Sequence, residues 1–129
     1  MKILLTAFTC VLLLACGKNK QSLNDGVYTG TFTVQYNDGT TRTGETTLTI
    51  EGSTYQCTGG PNYTPAGGSG SFEEKDGKIT FNDVNAWTAN FDWNLILSGE
   101  YKFRFDGKEL ELEADKNNVG NYHYDLEKQ

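Results

Sequence analysis

The sequence is poor in the residues from which most metal and acid–base sites are built. It has one histidine, one methionine, two prolines and three cysteines in 129 residues. The single histidine, His123, cannot supply the several ligands that a metal site needs. We therefore expect neither a metal nor a cofactor in this protein.

Basic residues are also few, because 11 Lys and Arg stand against 17 Asp and Glu and give a net charge of −6. The charges are interspersed along the chain, and no basic cluster is present. Nucleic-acid-binding proteins need a basic surface to neutralise phosphates. This composition therefore indicates no nucleic-acid partner.

Catalytic motifs are absent as well. The segment Gly67–Ser71 comes close to a nucleophile elbow, but it lacks the final glycine and no helix pattern follows it. The neighbouring acids Glu73 and Glu74 alternate along a strand and point to opposite faces, so they cannot share a substrate. We expect no enzymatic activity.

The first apolar segment is too short to span a bilayer, which takes about 20 residues. Met1 and Lys2 form a short positive start, and Ile3–Ala15 form the apolar run of a secretory signal peptide. Residues 1–15 are therefore predicted to be a signal peptide, with an uncleaved anchor helix as the alternative.

The end of this segment reads Leu13-Leu14-Ala15-Cys16 and resembles the bacterial lipobox. The resemblance implies cleavage before Cys16, lipidation of that cysteine and an anchor made of more than one acyl chain. Residues 16–25 are then the lipidated cysteine and a polar tether. The expected location is the bacterial cell envelope, with the protein anchored by lipid to the outer membrane.

Cys57 has no cysteine left to pair with, because Cys10 leaves with the signal peptide and Cys16 carries lipid. It lies on the apolar side of a short strand. We expect it to be a buried thiol that behaves as a small apolar side chain, with a reactive thiol as the alternative.

Fifteen glycines and fourteen Tyr and Phe residues are typical of a β protein rich in turns. From Gly26 onward, apolar and polar residues alternate with a period of two, as in strands with one buried face. Ser98-Gly99 is interpreted as a bulge in a long sixth strand. The pattern predicts eight strands, around Tyr28–Tyr36, Leu48–Ile50, Tyr55–Cys57, Phe72, Ile79–Phe81, Leu95–Phe105, Leu110–Leu112 and Tyr122–Leu126.

The connections predict how these strands are arranged. Gly52-Ser53, Asp76-Gly77 and Asp106-Gly107 are two-residue hairpin turns. The longer links are 37–43, 58–68, 83–94 and 115–119, which an up-and-down arrangement places at the opposite end. Closure of eight strands removes both sheet edges, so we expect an all-β fold, an eight-stranded antiparallel up-and-down β-barrel. A two-sheet β-sandwich is the alternative.

The lipobox, the opening Gly26-Val27-Tyr28 and the closing Tyr124–Lys128 strand together resemble the lipocalin-like domain lipoproteins of bacterial envelopes. The resemblance implies a lipocalin-like barrel of the calycin type over residues 26–129.

Aromatic residues divide into two groups. Eleven take the inward parity of their strands, whereas Tyr63, Trp87, Phe91 and Trp93 lie in the two longest loops. Large aromatic rings in loops either pack against other parts of the protein or bind a ligand. Two interpretations therefore stay open, a plug that completes the core and a ligand entrance. The candidate ligand-binding residues are Tyr28, Tyr36, Tyr55, Tyr63, Trp87, Phe91, Trp93, Tyr101 and Tyr124.

No Lys or Arg takes the inward parity, because Lys102 and Arg104 point outward. A buried carboxylate would lack a counter-ion, so the ligand should be neutral, with tyrosine hydroxyls as polar contacts. We expect a membrane-anchored envelope binding module with a small apolar cavity or mouth for a neutral hydrophobic ligand. The alternative is a non-catalytic structural or interaction lipoprotein with a solid core and an envelope protein partner.

Overall fold

A computed structural model describes residues 22–116 and 118–129 of the chain. The predicted signal peptide 1–15, the predicted lipidation site Cys16 and residues 17–21 of the predicted tether lie outside the described residues. Among the residues described, no helix is long and apolar enough to cross a membrane.

The chain forms a closed antiparallel barrel of eight strands in sequence order, with the last strand paired to the first. This confirms the predicted up-and-down barrel and is not the β-sandwich considered as an alternative. The strands are β1 Gly26–Tyr36, β2 Thr41–Glu51, β3 Thr54–Cys57, β4 Gly68–Lys75, β5 Lys78–Asp83, β6 Gly99–Phe105, β7 Glu109–Lys116 and β8 Gly120–Lys128.

Alternation along each strand decides what lies inside. On β1, Tyr28, Phe32 and Val34 are fully buried, while the threonines between them lie on the outer wall. Position 30 has the same inward parity, and it is a glycine because a Cβ there would lie 2.1 Å from the Asp125 carbonyl oxygen. The register therefore follows from apolar parity and from one close backbone approach.

The two barrel ends differ as predicted. One end carries the short turns after β2, β4 and β6, together with the start of β1 and the end of β8, and we call it the terminal end. The other, the loop end, carries segments 37–40, 58–67, 84–98 and 118–119. Two of the predicted links, 37–43 and 115–119, are shorter in the structure because β2 begins at Thr41 and β7 continues to Lys116.

The predicted sixth strand is wrong in its first part, because β6 begins only at Gly99. Trp93–Leu95 form a turn of 3-10 helix instead, which Asp92 caps by accepting a hydrogen bond from the Asn94 N–H. Leu95, Ile96 and Leu97 are all buried. They are apolar because they cover the loop end of the core. Leu95 and Leu97 are two positions apart, so the same residues also fit the alternation of a strand.

The segment 64–68 also folds into the loop end and is buried. Gly44 on β2 permits this approach, because a Cβ at Gly44 would lie 1.8 Å from the Thr64 carbonyl oxygen. A parallel bridge between Gly67 and Ile96 joins the two covering segments. Residues 64–68 and 95–97 thus cover the loop end, Trp87 and Phe91 pack against the core beside them, and Trp93 stays exposed.

Aromatic and aliphatic side chains from all eight strands fill the barrel. Cys57 is buried, 6% exposed, as predicted. Leu23, within the predicted tether, is also buried, and its N–H donates to the Glu74 carboxylate at 2.8 Å. The chain is therefore attached to the barrel from at least Leu23 onward.

Candidate functional site: an aromatic cluster at the loop end

Four aromatic rings from the two longest loops meet at the loop end. Phe91 is their centre: Tyr63 stacks on it with ring centroids 4.3 Å apart and planes within 5°. Trp87 meets Phe91 edge to face at 5.7 Å, and Trp93 is tilted against it at 6.4 Å. We call Tyr63, Trp87, Phe91 and Trp93 the loop-end aromatic cluster.

The inner and outer members of this cluster differ in exposure. Trp87 and Phe91 are partly buried against the barrel core. Tyr63 and Trp93 are 44% and 56% exposed. Since large rings are normally covered in a folded domain, the outer pair forms an apolar surface open to solvent.

Both indole N–H groups are already bonded within the protein. Trp87 donates to the Asp83 carboxylate at 2.6 Å, and Trp93 donates to the Ala89 carbonyl at 3.1 Å. These bonds fix the orientation of the rings. What the indole of Trp93 offers to a ligand is therefore its face rather than its polar edge.

Hydrogen bonds hold the backbone at Tyr63 in a strained conformation. Asn62 and Tyr63 both adopt positive φ, 52° and 57°, a region that non-glycine residues enter at a cost of about 1–2 kcal/mol each. Arg42 offsets part of this cost, because its guanidinium donates to the Asn62 carbonyl and the Thr64 hydroxyl. The loop thus presents Tyr63 in one defined orientation.

A polar network lies beneath the cluster. The Asp92 carboxylate accepts hydrogen bonds from the hydroxyls of Tyr36 and Tyr122 at 2.9 and 2.8 Å. Burial and this neighbouring carboxylate raise the pKa of both phenols. They consequently stay protonated and act as donors that hold the 84–98 loop on the barrel.

The structure corrects the prediction that no cation takes an inward position. Lys116 shares the parity of Leu110, Leu112 and Ala114, and its ammonium lies 4.7 Å from the ring centroid of Tyr101. It donates to the carbonyls of Asn94 and Ser98 at 3.3 and 3.0 Å. Arg42, which pairs with Val34, also has the inward parity of β2. Both cations lie in parts of β2 and β7 beyond the predicted strands Leu48–Ile50 and Leu110–Leu112.

Burial lowers the pKa of Lys116 to about 8, although the nearby Asp92 opposes this shift. The ammonium is occupied by two carbonyls and two aromatic rings. Its function in this geometry is to hold the segment 94–98 across the loop end.

The nine predicted ligand-binding residues do not form one site. Four of them come together in the cluster, namely Tyr63, Trp87, Phe91 and Trp93. Tyr36 lies below the cluster, and its hydroxyl donates to the carboxylate of Asp92. Tyr28 is at the terminal end, where its hydroxyl donates to the Asn24 carbonyl at 2.6 Å. Tyr55, Tyr101 and Tyr124 belong to the buried core.

Within that core, the Tyr55 hydroxyl donates to the Leu97 carbonyl at 2.6 Å. The hydroxyls of Tyr101 and Tyr124 are buried without a hydrogen-bond partner in the described part of the chain. Burial raises the pKa of both phenols. Both therefore remain neutral at physiological pH.

Two open grooves lie on the outer wall, away from the loop-end aromatic cluster. One, of about 390 Å³, is lined by Lys78, Lys102, Phe103 and Arg104 with acidic neighbours on β7. The other, of about 460 Å³, is lined mainly by threonines around Gly30. Neither groove brings together several of the aromatic residues predicted to bind ligand.

No group of three or more His, Cys, Asp or Glu side chains within residues 22–116 and 118–129 is placed to hold a metal ion. His123 lies on the outer parity of β8, half-buried. In comparisons with known proteins, no family model matches the chain, and no curated protein or solved structure is significantly similar to it.

Proposed function

We propose that this protein is a lipid-anchored, non-catalytic binding module of the bacterial envelope whose binding surface is the loop-end aromatic cluster. The observation that carries the proposal is the convergence of four rings from two separate loops, with Tyr63 and Trp93 left exposed. Rigid aromatic side chains on loops supply contact area at low conformational cost. The barrel acts as the scaffold that holds them.

The ligand of this module is a neutral molecule with an apolar face. Lys116, Asp92 and Arg42 are the charged groups next to the cluster, and each makes internal hydrogen bonds. An ionic ligand would therefore have to displace bonds that hold the loop.

The test uses N-phenyl-1-naphthylamine, a neutral apolar fluorescent probe. We expect it to bind the native protein and quench tryptophan emission, and we expect the Trp93→Ala variant to lose at least tenfold in affinity. Val27→Ala is the matched control, because Val27 is 41% exposed at the terminal end. Equal binding by all three proteins would place the probe elsewhere and overturn the proposal.

Lipid anchoring is tested separately. The Leu13–Cys16 sequence supports it, and a Cys16→Ser variant should lose both signal cleavage and incorporation of radiolabelled palmitate. A wild-type protein that incorporates no label would overturn this part.

A second candidate function is a structural or interaction lipoprotein with a solid core. It is favoured by the filling of the barrel, in which Tyr28, Tyr101, Tyr122 and Tyr124 are all fully buried. A pull-down from envelope extracts with native protein and with Trp93→Ala would identify a protein partner that depends on the cluster.

A further inference from the structure

The loop end differs in charge from the rest of the molecule. Charged residues make up 22% of the chain, yet segment 58–67 contains none and segment 84–98 contains only Asp92. These loops consist mainly of aromatic residues, Asn, Thr, Gly, Ala and Pro. A surface of this composition suits a ligand without net charge.

The charged groups that border the cluster are committed to internal contacts. Asp83 accepts from the Trp87 indole, the Asn85 amide and the Ser69 N–H. Arg42 donates to loop atoms of Asn62 and Thr64. These charged side chains therefore stabilise the two loops through hydrogen bonds, and the four rings of the cluster themselves carry no charge.

Two exposed asparagines stand next to cluster residues in the chain. Asn62 precedes Tyr63 and Asn90 precedes Phe91, and both asparagines are exposed. Within the described part of the chain, neither side-chain amide appears in an internal hydrogen bond, unlike those of Asn37, Asn85 and Asn121. Each such amide offers two donors and one acceptor, and each precedes an aromatic residue of the cluster in the chain.

The shape of the site decides between classes of neutral ligand. An apolar ligand gains most contact in a pocket that covers its whole surface, whereas Tyr63 and Trp93 lie on the outside and can cover only one face of a ligand. Exposed aromatic rings in loops that also carry exposed asparagines suit a molecule that has one apolar face and a polar rim.

We infer that the loop-end aromatic cluster, together with Asn62 and Asn90, binds neutral sugar rings of the pyranose type. The C–H faces of two sugar rings of one glycan lie on Tyr63 and on Trp93, one on each, and sugar hydroxyls bond to the two amides. This inference rests on the proposed function and names its ligand class. Free oligosaccharides and the glycan part of larger molecules share this chemistry.

The experiment titrates the lipid-anchored protein with neutral hexasaccharides of glucose, mannose and N-acetylglucosamine, followed by tryptophan emission and calorimetry. Hexagalacturonate is the anionic comparison. We expect at least one neutral hexasaccharide to bind, and hexagalacturonate to bind at least tenfold more weakly than that sugar. Retention of the sugar by the native protein on a glycan array would identify longer neutral glycans.

Two sets of variants measure the contributions of the aromatic rings and of the asparagine amides to sugar affinity. Trp93→Ala should lose at least tenfold in sugar affinity, and Asn62→Gly with Asn90→Ala should lose about fivefold. Glycine is used at position 62 because it accepts the positive φ found there. Asn82→Ala, an exposed amide on the wall of β5, is the matched control and should bind as the native protein does.

The naphthylamine probe keeps the two proposals distinguishable. If the probe binds through Trp93 while no neutral sugar binds, the sugar assignment is overturned and the proposed function stands. If sugars bind equally well to the double asparagine variant, the assignment is likewise overturned. If neither the probe nor any sugar binds, both proposals fail.

Discussion

Individual tyrosines show how the same hydroxyl can stabilise or destabilise the barrel. The Tyr55 hydroxyl donates to the Leu97 carbonyl, whereas the Tyr101 and Tyr124 hydroxyls are buried without a partner. An unpaired buried hydroxyl costs about 1–3 kcal/mol, and a typical hydrogen bond contributes about 1 kcal/mol. The three positions therefore form a matched set.

We predict that Tyr55→Phe lowers the free energy of unfolding by about 1–2 kcal/mol, because it leaves the Leu97 carbonyl unpaired. Tyr101→Phe and Tyr124→Phe should be neutral or stabilising. Urea unfolding followed by circular dichroism measures all three. A loss of 1 kcal/mol or more in both core variants would show that these hydroxyls are bonded, either to each other or to internal water.

Cys57 gives a second prediction at this scale. Burial raises the pKa of its thiol to about 11, so at pH 8 both accessibility and thiolate content are low. A thiol reagent should modify Cys57 slowly in the native protein and rapidly in urea, as followed by mass spectrometry of its peptide. Ser53→Cys, at an exposed position, is the control. Equal labelling rates for Cys57 and for the cysteine at position 53 in the native protein would mean that β3 is frayed.

At the scale of elements, Lys116 connects β7 to segment 94–98. Its pKa is lowered to about 8 in the folded protein, against an ordinary value of 10.5. Between these values the unfolded chain binds more protons than the folded one, so the free energy of unfolding should rise with pH in that window. One group contributes at most about 1.4 kcal/mol per pH unit.

We therefore predict that the native protein gains stability from pH 8 to 9.5 relative to a Lys116→Met variant, while the difference between the two is constant from pH 6 to 7. Urea unfolding at each pH measures it. Lys102→Met, at an exposed wall position, should follow the native curve. Parallel curves for native protein and Lys116→Met would contradict the burial of this ammonium.

Gly44 connects β2 to segment 58–67. A Cβ at this position would lie 1.8 Å from the Thr64 carbonyl oxygen, so Gly44→Ala must push the loop away at a cost of about 1–3 kcal/mol or more. Because Thr64 adjoins Tyr63, binding at the cluster should weaken too. Thr43→Ala, on the outer wall beside it, should change stability by less than about 0.5 kcal/mol.

These elements also show what the sequence could predict. Strands with clean alternation, such as β1 and β8, were predictable because one side chain in two is buried. Leu95 and Leu97 were assigned to a strand because a buried cover and a buried strand share the same apolar pattern. Local sequence does not distinguish them, since the difference lies in contacts with 64–68.

The site shows the same limit. The gathering of Tyr63, Trp87, Phe91 and Trp93 at one end was predictable from up-and-down topology. The inward position of Lys116 was available from parity with Leu112 and Ala114, but it required the correct end of β7. The bonds of Asp92 to Tyr36 and Tyr122 were not predictable, because they join residues 56 and 30 positions apart.

At the scale of the whole molecule, the barrel places the described ends of the chain and the loop-end aromatic cluster at opposite ends. The start of β1 and the end of β8 lie at the terminal end, and Gln129 returns beside Val27, whose carbonyl accepts its N–H at 2.8 Å. The loop-end aromatic cluster is at the other end. With about 3.3 Å per residue and a tilt near 40°, the eleven residues of β1 separate the two ends by roughly 25 Å.

If Cys16 carries the anchor, this geometry directs the cluster away from the anchoring membrane. Both tryptophans of the chain belong to the cluster, so their emission reports its distance from lipid. We predict weak quenching by brominated acyl chains when the lipid-anchored protein is incorporated into vesicles. A tryptophan placed at exposed Val27, in a Trp87→Phe and Trp93→Phe background, should be quenched more strongly because it lies at the terminal end. Equal quenching at the two positions would mean that the tether lets the barrel lie on its side, and recognition would then face the same membrane that holds the anchor.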